Sequence, residues 1–156
     1  MKSYFGNKAL RREMAALKRE KIACSLEQAA TVGIVFQYNN SDDFELIKKY
    51  VQYLRDMKKK VKAVGLYLTK ELPEFSYSKL EFDFFSKKQF SWLSKPIDPI
   101  LANFVNEPFD LLLDLNLQQA LPLKYIVGCS HSHFKVGPWI EDDADMHDLL
   151  ITSPPE

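Results

Sequence analysis

Cysteine and histidine lie close together in one short stretch, Cys129 to His133, with the sequence CSHSH. Both side chains are ligands that Zn²⁺ uses in proteins. A tetrahedral site needs a fourth ligand, which Asp145 or His147 could supply, but the spacing matches no standard zinc pattern. Histidine is also favoured near the C-terminus of a helix, where its charge meets the helix dipole. We therefore predict a polar helix end here, with no metal and no cofactor.

Cys129 next to histidines also raises the alternative of a thiol nucleophile. Such a cysteine needs a base within hydrogen-bond reach and an oxyanion hole. The sequence has no Gly-x-Ser-x-Gly turn to mark a nucleophile, so we do not predict catalysis by Cys129.

The acidic run from Glu141 to Asp145 could bind a divalent cation, but it lacks the glycine and the terminal glutamate of an EF-hand loop. Because runs of charge usually stay hydrated, we predict a solvated loop there.

Polar residues lie at or just beyond the carboxyl ends of the two most apolar runs of the chain, residues 31–36 and 109–115. They are Asn39, Asn40, Ser41, Asp114 and Asn116. In an open parallel sheet, ligands bind beyond the carboxyl ends of the strands where the strand order reverses. If both runs are neighbouring strands, these five residues form a candidate ligand-binding crevice. The simpler interpretation is that Asn40, Ser41 and Asp42 only cap the helix that follows, and the acidic start of that helix would repel a phosphate.

Basic residues concentrate at one end of the chain and acidic residues at the other. Residues 1–23 carry seven Lys or Arg and two Glu, a net +5, whereas residues 139–156 carry six Asp or Glu and no Lys or Arg. The two ends could attract each other within one molecule or between two. A helix is predicted over residues 7–23, with a narrow apolar stripe that includes Leu10 and Met14. We expect this helix mainly to pack on the rest of the chain.

The charge of this helix also leaves an anionic partner open. RNA, a ribosome or an anionic surface could contact its basic side chains. These are Lys8, Arg11, Arg12, Lys18 and Arg19. An unknown protein partner and a homo-oligomer are further alternatives.

Apolar strands and amphipathic helices alternate after this basic segment. Strands are predicted at 31–36, 61–68, 80–85, 109–115, 134–137 and 148–152, and helices at 42–58, from Asp98 and from Pro122. Continuous apolar runs are typical of strands buried on both faces. We predict an α/β, Rossmann-like fold: a mostly parallel sheet of five or six strands, in the order 3-2-1-4-5-6, with helices on both faces. Residues 1–24 are then a basic helical extension, and residues 25–156 are the Rossmann-like domain.

Length and composition agree with an ordinary globular domain. The chain has 156 residues, 46% of them hydrophobic, and two cysteines. A secreted disulfide scaffold usually has more cysteines, so a reducing compartment is the simpler interpretation. The sequence has no apolar core of signal-peptide length and no run of the ~18 apolar residues that a membrane span needs. We predict a cytoplasmic protein.

Several of these segments resemble a known family. Residues 32–36, 41–51, 79–88, 109–115, 122–126 and 134–137 are similar to a family of small bacterial proteins with no assigned function. The order of Asp110 to Leu115, a helix and then Lys135 to Gly137 resembles the N-terminal, Rossmann-like half of heptosyltransferase-type glycosyltransferases. In those enzymes this half binds the acceptor, and a second half, for which this chain is too short, mainly binds the sugar nucleotide. The resemblance implies the fold and no catalytic residue.

Three functions follow from these features. The first is a non-catalytic accessory or interaction domain, because no phosphate loop, catalytic triad or metal motif is present. The second is a binding or glycosyltransferase-like domain for a sugar or a nucleotide at the crevice. The third is association with RNA or the ribosome through the basic N-terminus. We favour the first, which leans against an enzyme and leaves the question of catalysis open.

Overall fold

The computed structural model describes residues 2–68, 82–116, 120–139 and 144–152 of the chain. Helices and strands alternate through these residues, and two 3₁₀ turns lie at Lys87–Gln89 and Ala144–Met146. In chain order the elements are α1 (Lys2–Ala16), β1 (Thr31–Gln37), α2 (Ser41–Asp56), β2 (Lys60–Leu66), β3 (Phe82–Phe85), α3 (Pro99–Asn106), β4 (Leu111–Asp114), α4 (Leu121–Cys129), β5 (Lys135–Pro138) and β6 (Leu149–Ile151).

The six strands form one sheet in the order β3-β2-β1-β4-β5-β6, and every neighbouring pair is parallel. This confirms the predicted α/β, Rossmann-like class and the predicted strand order. Strands β1 and β4 lie side by side at the centre, paired from Val32 with Leu111 to Val35 with Asp114. Residues Val32 to Phe36 are all buried because helices cover both faces of the sheet. The strand order reverses between β1 and β4, which places a crevice beyond their carboxyl ends.

Each face of the sheet has its own apolar core. On one face, α2 buries Phe44, Val51 and Leu54 against strands β1 to β3. On the other face, α3 and α4 share a core with β4. The members that α3 and α4 contribute are Leu101, Phe104, Leu123, Ile126 and Val127. Helix α1 packs against α4, where the Tyr125 hydroxyl donates a hydrogen bond to the carbonyl of Gly6 at 3.2 Å. The N-terminus is therefore held on the helical layer of the domain.

The N-terminal helix differs from the prediction of residues 7–23, because it spans Lys2–Ala16 and the following residues are irregular. The reason is a tertiary contact that a continued helix does not make. The guanidinium of Arg19 donates two hydrogen bonds to Asp148 and reaches the backbone carbonyl of Ser132. Such contacts outweigh the weak helical preference of a narrow apolar stripe.

The remaining boundaries agree with the predictions to within a few residues. Helix α2 ends two residues before its predicted end, and Lys58 just beyond it adopts a left-handed conformation with φ 65°. The predicted third strand is present from Phe82, while residues 80 and 81 lie outside the described ranges. The predicted loop from residue 69 to residue 79 and most of the acidic run at 141–145 also lie outside them.

Candidate functional site

A crevice lies at the carboxyl ends of β1 and β4, at the point where the strand order reverses. Its volume is about 490 Å³. The lining residues come from the ends of both strands and from the first turns of α2: Gln37, Asn39, Asp43, Leu46, Ile47, Leu115 and Asn116. Asn39 and Asn116 are thus the two of the five predicted ligand-binding residues that line this crevice. The amides and the carboxylate can hydrogen-bond a ligand, and the leucines can contact its apolar surface.

Asn40 caps α2 and has a structural role at the crevice edge. Its Oδ1 accepts a hydrogen bond from the backbone N–H of Asp43 at 2.8 Å, and its Nδ2 donates to Asp43 Oδ2 at 3.1 Å. Ser41 is exposed and is the first residue of the helix. The capping interpretation therefore accounts for the side chain of Asn40, and neither Asn40 nor Ser41 lines the crevice. Asp42 and Asp43 occupy the first turn, where carboxylates suit the helix dipole.

Hydrogen bonds fix the orientation of Asn116. Its Nδ2 donates to Asp114 Oδ1 at 2.6 Å and to the carbonyl of Val35 at 3.3 Å. Both partners accept hydrogen bonds, so the amide nitrogen must face them, and the carbonyl oxygen Oδ1 points the other way. Both hydrogens of Nδ2 are thus committed to internal acceptors, and the largely buried Asn116 forms part of the crevice wall.

Asp114 lies behind Asn116 and links it to a histidine. Its Oδ2 lies 2.8 Å from Nε2 of His147, and both side chains are fully buried. Nδ1 of His147 is also buried and has no hydrogen-bond partner among the described residues. Sequence reasoning missed this pair, because it considered His147 only as a zinc ligand and Asp114 only as a crevice residue. The available signal was a strand that ends in Asp at the sheet centre, where a buried carboxylate needs a partner.

Cys129 is not an activated nucleophile in this fold. Its Sγ lies 3.6 Å from Glu13 Oε2, and Glu13 also pairs with Lys95 at 2.6 Å. Burial and then the negative charge of Glu13 raise the pKa of the thiol to about 12. Since the thiolate is the reactive form, a protonated Cys129 is a poor nucleophile near neutral pH.

The histidines considered as zinc ligands have other surroundings. His133 Nδ1 lies 2.8 Å from the carbonyl of Glu20. Within the described ranges, no three His, Cys, Asp or Glu side chains come together as a metal site.

A buried charge cluster lies near the amino end of β5, away from the crevice. Lys135 is buried, and its Nζ donates to the carbonyl of Gly128 at 3.0 Å. Burial, followed by the nearby positive charge of Arg19, lowers the pKa of Lys135 to about 7. Burial alone would raise the pKa of Asp148, but hydrogen bonds from Arg19 and from the backbone N–H of Lys135 lower it. These contacts tie residues 19–21 to the start of β6.

The basic residues predicted to meet an anionic partner do not all remain accessible. Arg19 belongs to the internal charge cluster, since its side chain is 10% exposed and its charge is balanced by Asp148. The guanidinium that was predicted to contact an external partner is thus engaged by Asp148 within the chain. Lys8, Arg11, Arg12 and Lys18 are exposed. The basic and acidic ends do attract each other within one molecule, through Asp148 with Arg19 and with Lys21 at 3.7 Å.

Comparison with known proteins gives one match. The model of a family described as a family of unknown function (DUF6913) matches residues 2–156. No curated protein and no solved structure matches the chain significantly, so the resemblance to heptosyltransferases stays a prediction. No helix in the described parts of the chain is long and apolar enough to span a bilayer.

Proposed function

We propose that this chain, which belongs to DUF6913, a family of unknown function, is a non-catalytic domain that binds a small hydroxylated molecule of the sugar class. The observation that carries the proposal is the crevice between β1 and β4. It lies at the strand-order reversal, and its polar lining consists of three amides and one carboxylate. Such a lining suits a ligand with several hydroxyl donors, and the leucine side chains beside it suit the apolar face of a sugar ring.

The charge of the crevice argues against a phosphate ligand. None of the described residues that line it is Lys, Arg or His, and Asp43 supplies a negative charge. Asn116 Nδ2 already donates its two hydrogens to Asp114 and Val35, so this amide has no free donor for a phosphate. The oxygens of a phosphate accept hydrogen bonds, as do the Asp43 carboxylate and the amide oxygens of the lining, so they cannot pair with each other. A hydroxyl group of a ligand can donate a hydrogen bond to these oxygens. A neutral sugar or polyol therefore fits better than a nucleotide.

Binding without chemistry is the role that these side chains favour. Glycoside chemistry usually employs two carboxyl groups on opposite sides of the reacting bond. The described part of the crevice lining contains one, on Asp43, and its Oδ2 accepts a hydrogen bond from Asn40. This arrangement supports an accessory or interaction domain that recognises its ligand.

A thermal-shift screen with neutral sugars, polyols and sugar nucleotides tests this proposal. A ligand at 100 times its dissociation constant adds about 2.7 kcal/mol to the free energy of unfolding. The Asn39→Ala variant should weaken binding of a hit about tenfold, because Asn39 is exposed and does not cap α2. Asn103→Ala, an exposed asparagine on α3, is the matched control and should bind normally. A screen without any neutral hit, or equal affinity for both variants, contradicts the proposal.

The exposed basic side chains of α1 support a second proposal, that this surface associates with an anionic polymer such as RNA. Lys8, Arg11 and Arg12 on α1 are exposed, and Lys18 just beyond the helix is exposed as well. Lys8 and Arg12 line the same surface recess. Polymer binding through phosphate contacts weakens steeply as salt increases. Replacing Lys8 and Arg12 with Gln should therefore reduce both the affinity for RNA and its salt dependence. RNA affinity that the double variant retains in full would contradict this proposal.

A further inference from the structure

Three large aromatic side chains form a contiguous exposed cluster at the start of α1. Tyr4 and Phe5 lie on the first turn of the helix, and Trp92 comes from the segment before α3. The ring centroids of Tyr4 and Phe5 are 5.5 Å apart, and those of Phe5 and Trp92 are 6.2 Å apart. Single exposed apolar residues are common, but a contiguous exposed patch usually marks a binding surface.

The backbone around Trp92 presents its ring from a tight turn. The N–H of Ser94 donates to the carbonyl of Ser91 at 2.8 Å, and Ser94 has a left-handed φ of 66°. Phe90 and Pro96 close the turn with an antiparallel bridge, and the Phe90 side chain is buried in the core below. Trp92 is therefore anchored at its base, while its ring remains 60% exposed.

Two recesses flank the indole ring, and Trp92 lines both of them. The larger, about 520 Å³, has hydroxyl groups and the cation of Lys87 in its lining. The smaller, about 380 Å³, is lined by Phe5, Lys8, Arg12 and Leu93 among others. Among the described residues that line the two recesses, there is no Asp or Glu. Each recess thus combines an aromatic wall with positive charge, which complements an anionic and partly aromatic partner.

We propose that Trp92 and Phe5 stack the bases of a single-stranded nucleic acid, while Lys8, Arg12 and Lys87 contact its phosphates. This inference rests on the proposed anionic-polymer function and specifies the class of polymer. Stacking on aromatic rings inside a positive groove is the usual way to bind single strands without reading their sequence. The concave, serine-lined shape argues against a membrane, since interfacial helices insert a continuous apolar face into lipid. Ser3, Ser91 and Ser94 supply those hydroxyl groups.

Fluorescence anisotropy with a labelled 12-nucleotide uridine RNA tests the stacking. Loss of one stacked base costs about fivefold or more in affinity, so Trp92→Ala should weaken binding at least that much. Tyr53→Ala is the matched control, because Tyr53 is 54% exposed but lies on α2. It should leave RNA affinity unchanged. Both residues are exposed, so both variants should fold normally, which circular dichroism checks.

The salt dependence of binding separates stacking from charge. Each phosphate contact to a single strand contributes a slope of about −0.7 in log affinity against log salt, so three cations predict about −2. Lys8→Gln with Arg12→Gln should reduce the slope by about 1.4, whereas Trp92→Ala should preserve it. If the charge variants weaken binding and Trp92→Ala does not, the stacking proposal fails and the anionic-polymer proposal stands. If the wild type does not bind RNA, both fail.

Tryptophan fluorescence distinguishes RNA from lipid. The chain has two tryptophans, so Trp139→Phe leaves Trp92 as the single reporter. Saturating RNA should quench its emission, as expected for a ring stacked on bases. Vesicles of phosphatidylcholine with phosphatidylglycerol should leave the emission unchanged. A blue shift on vesicles, with no quenching by RNA, would overturn the nucleic-acid proposal and identify a membrane surface instead.

Discussion

His147 Nε2 lies 2.8 Å from Asp114 Oδ2, at the carboxyl end of the central strand β4, and solvent reaches neither side chain. The other oxygen of the same carboxylate accepts hydrogen bonds from the backbone and side-chain amides of Asn116. Asp114 therefore connects the segment before β6 with the lining of the crevice. A change at this carboxylate should alter both the stability of the domain and the geometry of the proposed ligand site.

Asp114→Asn should lower the free energy of unfolding by about 1–3 kcal/mol, because a buried hydrogen-bond partner is lost or mismatched. It should also weaken any crevice ligand, since the new side chain has one acceptor oxygen in place of two and cannot serve both Asn116 and His147. Urea unfolding and a ligand titration measure the two effects. Asp83→Asn, at an exposed position on β3, is the control and should stay within about 0.5 kcal/mol of the wild type. A comparable stability for Asp114→Asn and Asp83→Asn would refute the role of the buried pair.

Gly137→Ala should destabilise the domain because β5 passes directly under the imidazole of His147. A methyl group at residue 137 would overlap that ring, which is itself held by Asp114. Forcing atoms into a packed site costs about 1–3 kcal/mol. Gly128→Ala makes a useful comparison: its methyl group would meet the flexible end of Met14, with Sδ at 2.8 Å, and alanine favours a helix by about 1 kcal/mol. Thermal unfolding should show a clear loss for Gly137→Ala and a small change for Gly128→Ala. Equal losses would mean that overlap with the His147 ring does not cause the loss of stability in Gly137→Ala.

Local patterns in the sequence predicted the central strands and the cap at Asn40, because each depends on a few neighbouring residues. The strand order followed from placing the two most apolar strands at the centre of a parallel sheet. The pairing of Asp114 with His147 joins residues 33 positions apart, with α4 and β5 between them in the chain, and no local pattern indicates it. The end of α1 was mispredicted for a similar reason. Arg19 finds its partner 129 residues away, and that partner decides where the helix stops.

Asp148→Asn should cost about 1.5–3 kcal/mol, because it leaves the largely buried guanidinium of Arg19 without its counter-charge. The pKa of Asp148 is lowered in the fold, so its contribution is present above the usual carboxyl range and is lost as pH falls through the folded pKa. Acid titration of the wild type should therefore show a loss of stability that Asp148→Asn lacks. Glu107→Gln, which removes an exposed ion pair with Lys62, is the control and should cost at most about 1 kcal/mol. Similar costs for the two substitutions would rule out a buried ion pair at Asp148.

The lowered pKa of Lys135 should make the free energy of unfolding increase as pH rises from 7 toward 9. In the unfolded chain its amine keeps its proton up to about pH 10.5, whereas in the fold its pKa is about 7. Between these values the unfolded state binds more protons, so the free energy of unfolding increases with pH. From pH 7 to 8.5 the increase should be about 1.5 kcal/mol. The neutral amine can still donate its hydrogen bond to the carbonyl of Gly128.

Lys135→Met isolates this contribution, because methionine has a similar shape and no proton to release. The variant also loses the hydrogen bond to Gly128, which changes its free energy of unfolding by the same amount at every pH. The quantity to compare is therefore the slope of the free energy of unfolding against pH. Measurements should stay below pH 9. Above that value the raised pKa values of Cys129 and Tyr125, each about 12, make the folded state hold protons that the unfolded state releases, and stability falls. Urea unfolding at pH 7.0, 7.75 and 8.5 should show a rise for the wild type that exceeds the rise for Lys135→Met. Parallel curves for the two proteins would mean that Lys135 remains charged in the folded state.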